Sequence, residues 1–401
     1  MKTIATEEIF YVSPCAEDIF CYSPSLLVHP SGKIYAAFDL GGVGVGRLPG
    51  PKTTNSDFGS GNQGKIFCSE DNGKTWQHLA DLAIYHARLF ADGDKIYFIG
   101  HDNGITISCS EDEGKTWSEV RELESTEVWH QSPCAYHIEN GYIYLTMEKR
   151  VGDLWPDVAP VVLRGKLGTD LTDKKNWTFS NALVYPSELP NTIGAPFYPK
   201  NLPNGLFCGD PCFLESHVMK IHDPEHLLYG ENKLHVFMRQ HTGLANMGAV
   251  AECTVMPDGE MKLDLIKSWT GVPMLHIPFP GGQMKFDVRY DEKSQYYWLV
   301  STQTTDSMRR PECLPSDRYG LPDNERHRLV LYFSSNMFDW CFAGVIAIGK
   351  TCKCSRHYCS MAISGDDILI LSRSGDENAK SAHNGNMLTF HRVENFRSLI
   401  Y

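Results

Sequence analysis

Four arginines, Arg239, Arg326, Arg328 and Arg373, stand out because a guanidinium fork matches a carboxylate in two parallel hydrogen bonds. His241, Lys285 and His357 join them as candidate substrate-binding residues. A second set can move protons or attack carbon. It comprises Tyr358, Asp210, His86, His101 and His130, the candidate catalytic residues. Histidine and tyrosine serve as acid and base near neutrality, and arginine neutralises a substrate anion. That combination suits acid–base or nucleophilic chemistry on a substrate that carries a carboxylate. A lone histidine near a strand end is ordinarily a hydrogen-bonded loop residue. His86, His101 and His130 draw attention because they recur at equivalent positions.

These residues need elements that bring them to one place. Ser69-Glu70-Asp71-Asn72-Gly73-Lys74-Thr75-Trp76 returns almost unchanged as Ser110-Glu111-Asp112-Glu113-Gly114-Lys115-Thr116-Trp117. Looser copies follow at Asp173 to Trp177 and Ser334 to Trp340. A repeat at this period marks stacked supersecondary units. In each, Ser and Asp bond nearby backbone N–H groups, Gly takes a positive φ and Trp packs beneath the turn. Around the turns the chain reads as short strands, and grouping them in fours predicts an all-β, six-bladed β-propeller over 1–401 as a single domain. Blade one takes 24–29, 33–39, 64–68 and 74–79. Blade two takes 84–90, 94–99, 104–109 and 115–120. Blade three takes 131–137, 141–147, 160–165 and 176–181. Blade four takes 211–218, 233–239, 248–253 and 261–269. Blade five takes 283–289, 296–302, 328–333 and 339–346. Blade six takes 357–362, 367–373 and 387–391, closed by the N-terminal strand 9–13. Seven blades would require the insert 182–210 to hide one, and it lacks strand content. First-strand starts and second-strand ends then share the central face. Besides the residues above, that face gathers Asp39, Glu148 and Arg356.

The chain has 401 residues and a formal net charge of -12, so phosphate backbones and anionic lipid are poor partners. An acidic oligosaccharide is the expected partner, and an acidic protein must hold it with a local basic cluster. The N-terminal segment lacks a signal-peptide core, which predicts a cytoplasmic protein. Thirteen cysteines without such a signal predict reduced thiols. Cys352, Cys354, His357 and Cys359 lie close enough to invite a zinc reading. In an extended strand, however, His357 and Cys359 share a face while the other two fall in the preceding loop. Neither metal nor other cofactor is expected. The glycines from Gly41 to Gly46 are followed by no Lys-Ser/Thr pair and no helix, unlike a nucleotide loop.

The two octads resemble the Asp-box, S-x-D-x-G-x-T-W, of sialidases and related propellers. There it is a structural turn on the face away from the active site. The resemblance implies a sialidase-type scaffold over nearly the whole chain. In catalytic members three arginines hold the substrate carboxylate, a tyrosine polarised by a glutamate is the nucleophile, and an aspartate is the acid. Tyr358-Cys359-Ser360-Met361 is similar to the nucleophile segment. Arg239 resembles the second arginine, and Arg326 or Arg328 the third. Asp210 stands where the glutamate partner is expected. The first arginine's segment reads Tyr22-Ser23-Pro24, with Ser23 in its place, and Asp57 is the nearest match to the acid. The resemblance implies an exo-glycoside hydrolase acting on a terminal acidic sugar. A uronate lyase using His and Tyr, and a glycan-binding propeller without catalysis, are the alternatives.

Overall fold

The computed structural model describes residues 2–54, 61–153, 157–186, 212–240, 245–310, 313–314 and 325–401. Their strands form six antiparallel sheets. Blade one is Phe20–Val28, Ile34–Gly41, Gln63–Ser69 and Gln77–Leu82. Blade two is Tyr85–Asp92, Lys95–Asp102, Gly104–Ser110 and Arg121–Glu124. Blade three is built on Tyr142–Arg150, Val158–Lys166 and Trp177–Phe179, blade four on Phe213–Met219, Lys233–Gln240, Met247–Val255 and Met261–Leu265. Blade five is Asp287–Asp291, Tyr296–Thr302, Arg328–Ser334 and Cys341–Ile348. Blade six is Arg356–Ser364, Asp367–Ser374 and Met387–Val393, and Thr6–Val12 pairs antiparallel with the last of these to complete it.

The core is divided in the same way. Each of six apolar clusters lies between two neighbouring blades. Ala36 and Phe38 of blade one pack against Leu369 and Phe390 of blade six, which closes the ring. This is why the strands read as continuous apolar runs: both faces of every blade are covered. The closing strand is also held electrostatically, by Glu7 paired with Arg356 at 2.7 and 2.9 Å. Arg356, expected at the central face, belongs to this seam.

All four repeat turns join the third strand of a blade to its fourth. In the first, Asp71 Oδ1 accepts from Thr75 N at 2.8 Å and Oδ2 from Thr75 Oγ1 at 2.6 Å, while Gly73 N donates to Ser69 Oγ. The second repeats these bonds through Asp112, Thr116, Gly114 and Ser110.

Several strand boundaries differ from expectation, and in blades two and three side chains take over ladder positions. The first strand of blade three survives only as Trp129–His130 and His137–Glu139, either side of Pro133. Between them Gln131 Nε2 occupies the carbonyl of Thr146 at 2.9 Å, and a proline cannot donate to the ladder. The fourth strand of blade two starts at Arg121, because Ser118 Oγ accepts from Cys109 N in the position of a strand neighbour. The first strand of blade five starts at Asp287, after a turn through Gly281 with φ 73°.

Candidate active site

At the entry to the first strand the backbone kinks in the same way in four blades. Ser23, His86, Glu215 and Tyr358 have φ of 39°, 47°, 48° and 49°, and the strand register slips around each. A left-handed non-glycine residue costs about 1–3 kcal/mol, so four at one position need compensation. It comes from the residue two places on, which bonds a neighbouring blade. Ser360 Oγ accepts from Leu26 N at 3.0 Å, and Ser25 Oγ from Leu89 N at 2.9 Å. Arg88 donates to the carbonyls of Cys134 and Thr146. His217 Nδ1 accepts from Ala135 N at 2.9 Å, and Asp287, two places after Lys285, accepts from Met361 N at 2.8 Å. The kinks and the bonds between blades are one device that fixes the residues around the channel.

A cavity of about 360 Å³ opens at this face, within the size range of small-ligand sites. On one side stand Tyr358, Glu215, Arg373 and His383. Arg239 Nη1 donates to Tyr358 Oη at 2.5 Å and to both Glu215 oxygens at 3.1 and 3.2 Å. Three guanidiniums surround the Tyr358 ring, with centroid distances of 5.9 Å for Arg239, 5.6 Å for Arg326 and 5.3 Å for Arg373. Burial raises the Tyr358 phenol above its ordinary range; Arg239 opposes this and Glu215 adds to it. Arg239 is held charged: burial disfavours the cation, but Glu215 and Tyr358 outweigh it. Arg373 donates to the carbonyl and Nδ1 of His383 and lies 4.1 Å over the Tyr22 ring. It therefore stands beside Ser23, where the sialidase resemblance led us to expect an arginine from blade one.

The other side of the cavity carries His86, His101 and His130, with ring centroids 5.5 to 5.8 Å apart. His101 is buried and His86 half-buried, and both are pushed well below the ordinary imidazole range, first by desolvation and then by the neighbouring histidines. His130 Nδ1 lies 2.9 Å from Glu148 Oε2. Glu148 is fully buried, and its other oxygen accepts from Ser216 N at 3.3 Å.

The structure thus brings Tyr358, Arg239, Arg326, Arg373 and the three histidines together. Asp210, His241 and Asp57 lie outside the described residues. Arg328 turns away, donating to Gln303 Oε1 at 3.0 and 3.2 Å. Lys285 is buried in the channel wall, bonded to the Cys359 carbonyl. His357 sits behind Tyr358 with Nδ1 3.2 Å from Arg326 Nη1. Sequence reasoning placed Glu215 inside a strand and gave it no role, and it missed Tyr22 and His383. Glu215-Ser216-His217 aligns with Tyr358-Cys359-Ser360 once both are counted from the kink, the signal by which it was findable. The described cysteines are free thiols. Cys359 packs in the core between blades five and six while Cys352 lies in the preceding turn, and no group of metal-ligating side chains converges among the described residues.

No family model and no curated protein sequence matches the chain. Solved structures share its architecture. An α-L-arabinanase of Penicillium chrysogenum complexed with arabinobiose is 10% identical, covering 99% of each chain with a TM-score of 0.55. An α-L-arabinofuranosidase of Fusarium graminearum is 12% identical over 98% of each chain, with a TM-score of 0.52. A mutant of Trypanosoma rangeli sialidase displaying trans-sialidase activity is 12% identical, with a TM-score of 0.56. That match covers 100% of this chain and 60% of the sialidase. The chain shares the propeller architecture of these solved structures, which are glycoside hydrolases.

Proposed function

We infer that the protein is a glycoside hydrolase that removes a terminal acidic sugar, sialic-acid-like or uronic, from an oligosaccharide. The observation that carries this reading is the Tyr358–Arg239–Glu215 cluster, whose tyrosine and glutamate line the cavity and whose tyrosine ring has three guanidiniums around it, Arg373 among the cavity-lining residues. Arg373 donates to neutral partners, which leaves its charge to act on a bound anion. Arg239, Arg326 and Arg373 hold the sugar carboxylate. Tyr358 Oη attacks the anomeric carbon as its proton passes to Glu215. A tyrosine suits this task because a carboxylate nucleophile is repelled by the substrate's own carboxylate. Water then releases the sugar from Tyr358.

A panel of sialyl and uronyl oligosaccharides, assayed for free acidic sugar, tests the reading. Tyr358→Phe is expected to bind substrate with near-normal affinity while losing at least about 10²-fold in turnover. Full turnover in that variant refutes the tyrosine mechanism. The histidine wall favours a second reading, a uronate lyase in which histidine takes the proton next to the carboxylate. Its product carries a conjugated double bond, so rising near-ultraviolet absorbance without saturated sugar selects elimination.

A further inference from the structure

Hydrolysis by Tyr358 needs a proton for the departing glycosidic oxygen, and among the described residues of the Tyr358 cluster none is free to supply it. Glu215 is occupied with Arg239, and the guanidiniums do not give up protons. We propose that His130, held by Glu148, is the proton donor to the leaving group. This deepens the hydrolase reading and rests on it.

The argument begins with Glu148. Its neighbours in the chain, Lys149 and Arg150, are cations that could neutralise it. They go elsewhere: Lys149 Nζ to Glu127 at 2.6 Å, Arg150 Nη2 to the Asp153 carbonyl. Glu148 turns inward and spends its oxygens on Ser216 N and His130 Nδ1. A fully buried carboxylate is costly unless it is paired, and here the group it pairs with lines the cavity. Such a carboxylate fixes the imidazole ring and supplies the counter-charge that an imidazolium requires.

The fold places this pair well for the role. His130 belongs to blade three and Tyr358 to blade six, which face each other across a six-membered ring, and the cavity between them is shared. His86 and His101 pack against His130 and are kept neutral by burial, and Arg150 shares its wall. Glu148, bonded to Nδ1, favours a proton on the ring, and the Glu215 carboxyl, which lines the same cavity, acts in the same direction.

The step balances. His130 Nε2–H passes its proton to the glycosidic oxygen as the bond from that oxygen to the anomeric carbon breaks, the electron pair staying on oxygen. Tyr358 Oη forms the new bond to the carbon. In the second half a water oxygen displaces Tyr358, whose departing phenolate oxygen recovers its proton from Glu215, and the now neutral His130 takes the water's proton.

The test compares two substrates of the same acidic sugar: an oligosaccharide, whose alcohol leaves only when protonated, and a nitrophenyl glycoside, whose phenolate leaves unaided. His130→Ala is expected to lose about 10²–10⁴-fold in kcat on the oligosaccharide and less than about 10-fold on the nitrophenyl glycoside. Glu148→Gln, the second variant, removes the counter-charge and is expected to move the alkaline limb of the kcat profile on the oligosaccharide to lower pH. A loss by His130→Ala that is equal on the two substrates, or no loss on the oligosaccharide, overturns the proposal while leaving the hydrolase reading standing. A wild-type protein that releases sugar from neither substrate overturns both.

Discussion

Charge balance around Tyr358 is the feature on which the proposed acidic-sugar specificity rests. Arg239 is matched by Glu215, whereas Arg373 faces a ring and a carbonyl of His383. A further carboxyl is that of Asp39, across the blade-one pair from Tyr22 and buried. Burial pushes it up to about 8 against the opposing pull of Arg373, so it is largely protonated at neutral pH and leaves the guanidinium uncancelled. The sign of its effect on stability follows. The folded state keeps a proton that the unfolded chain releases near 3.9, so the contribution of Asp39 to stability falls as pH rises from about 4 to about 8. Asp39→Asn cannot titrate. Melting temperatures of the two proteins across that window are expected to diverge in favour of the variant and level off above about 8; parallel curves mean that Asp39 is not held protonated.

At the scale of elements, the kinked strand entries are where stability and function meet. Ser360 Oγ satisfies the buried N–H of Leu26, and Ser25 Oγ that of Leu89. Removing either hydroxyl strands a buried donor, so Ser360→Ala and Ser25→Ala are each expected to cost about 1–3 kcal/mol in urea unfolding. Ser360→Ala is also expected to lower turnover, because the bond it removes lies two residues from Tyr358 and helps hold its left-handed backbone. Unchanged stability in both variants argues against the staples. The repeat turns carry a different role. Their Asp71 and Asp112 networks sit between third and fourth strands, away from the channel, and organise the blade.

At the scale of the whole molecule, the ring buries many neutral histidines. His86, His101, His217, His357 and His383 are all held well below the ordinary range, chiefly by burial, and His391, beside Glu7 at the closing seam, is lowered to about 4. The unfolded chain binds protons at these rings near 6.5 and the folded chain does not. The contribution of these histidines to stability is therefore complete above about 6.5 and falls as pH drops below it. Glu7 adds to the loss at lower pH: burial disfavours its charge, but Arg356 holds it below the ordinary carboxylate range, and that stabilisation disappears as Glu7 protonates. Thermal unfolding at pH 7.5 and at pH 5 is expected to show a marked drop at the lower value; a flat profile contradicts the buried-neutral assignment.

The sequence alone determined the blade plan. Turn chemistry such as Ser69 to Trp76 is local, and apolar runs such as Ile34 to Leu40 report covered sheet faces, so both survive reading one residue at a time. It also marked Tyr358, Arg239 and Arg373, because a strand's start and end fix which rim a residue occupies. Only the tertiary structure decided which rim residues meet. The left-handed kinks shift the register by an amount no propensity reveals, which brings Glu215 into the site. Arg373 reaches across from blade six to stand beside Ser23, and Arg328, two residues from Arg326, turns to Gln303 instead. Those choices depend on contacts between blades far apart in the chain, and a contact between distant segments leaves no mark in either one alone.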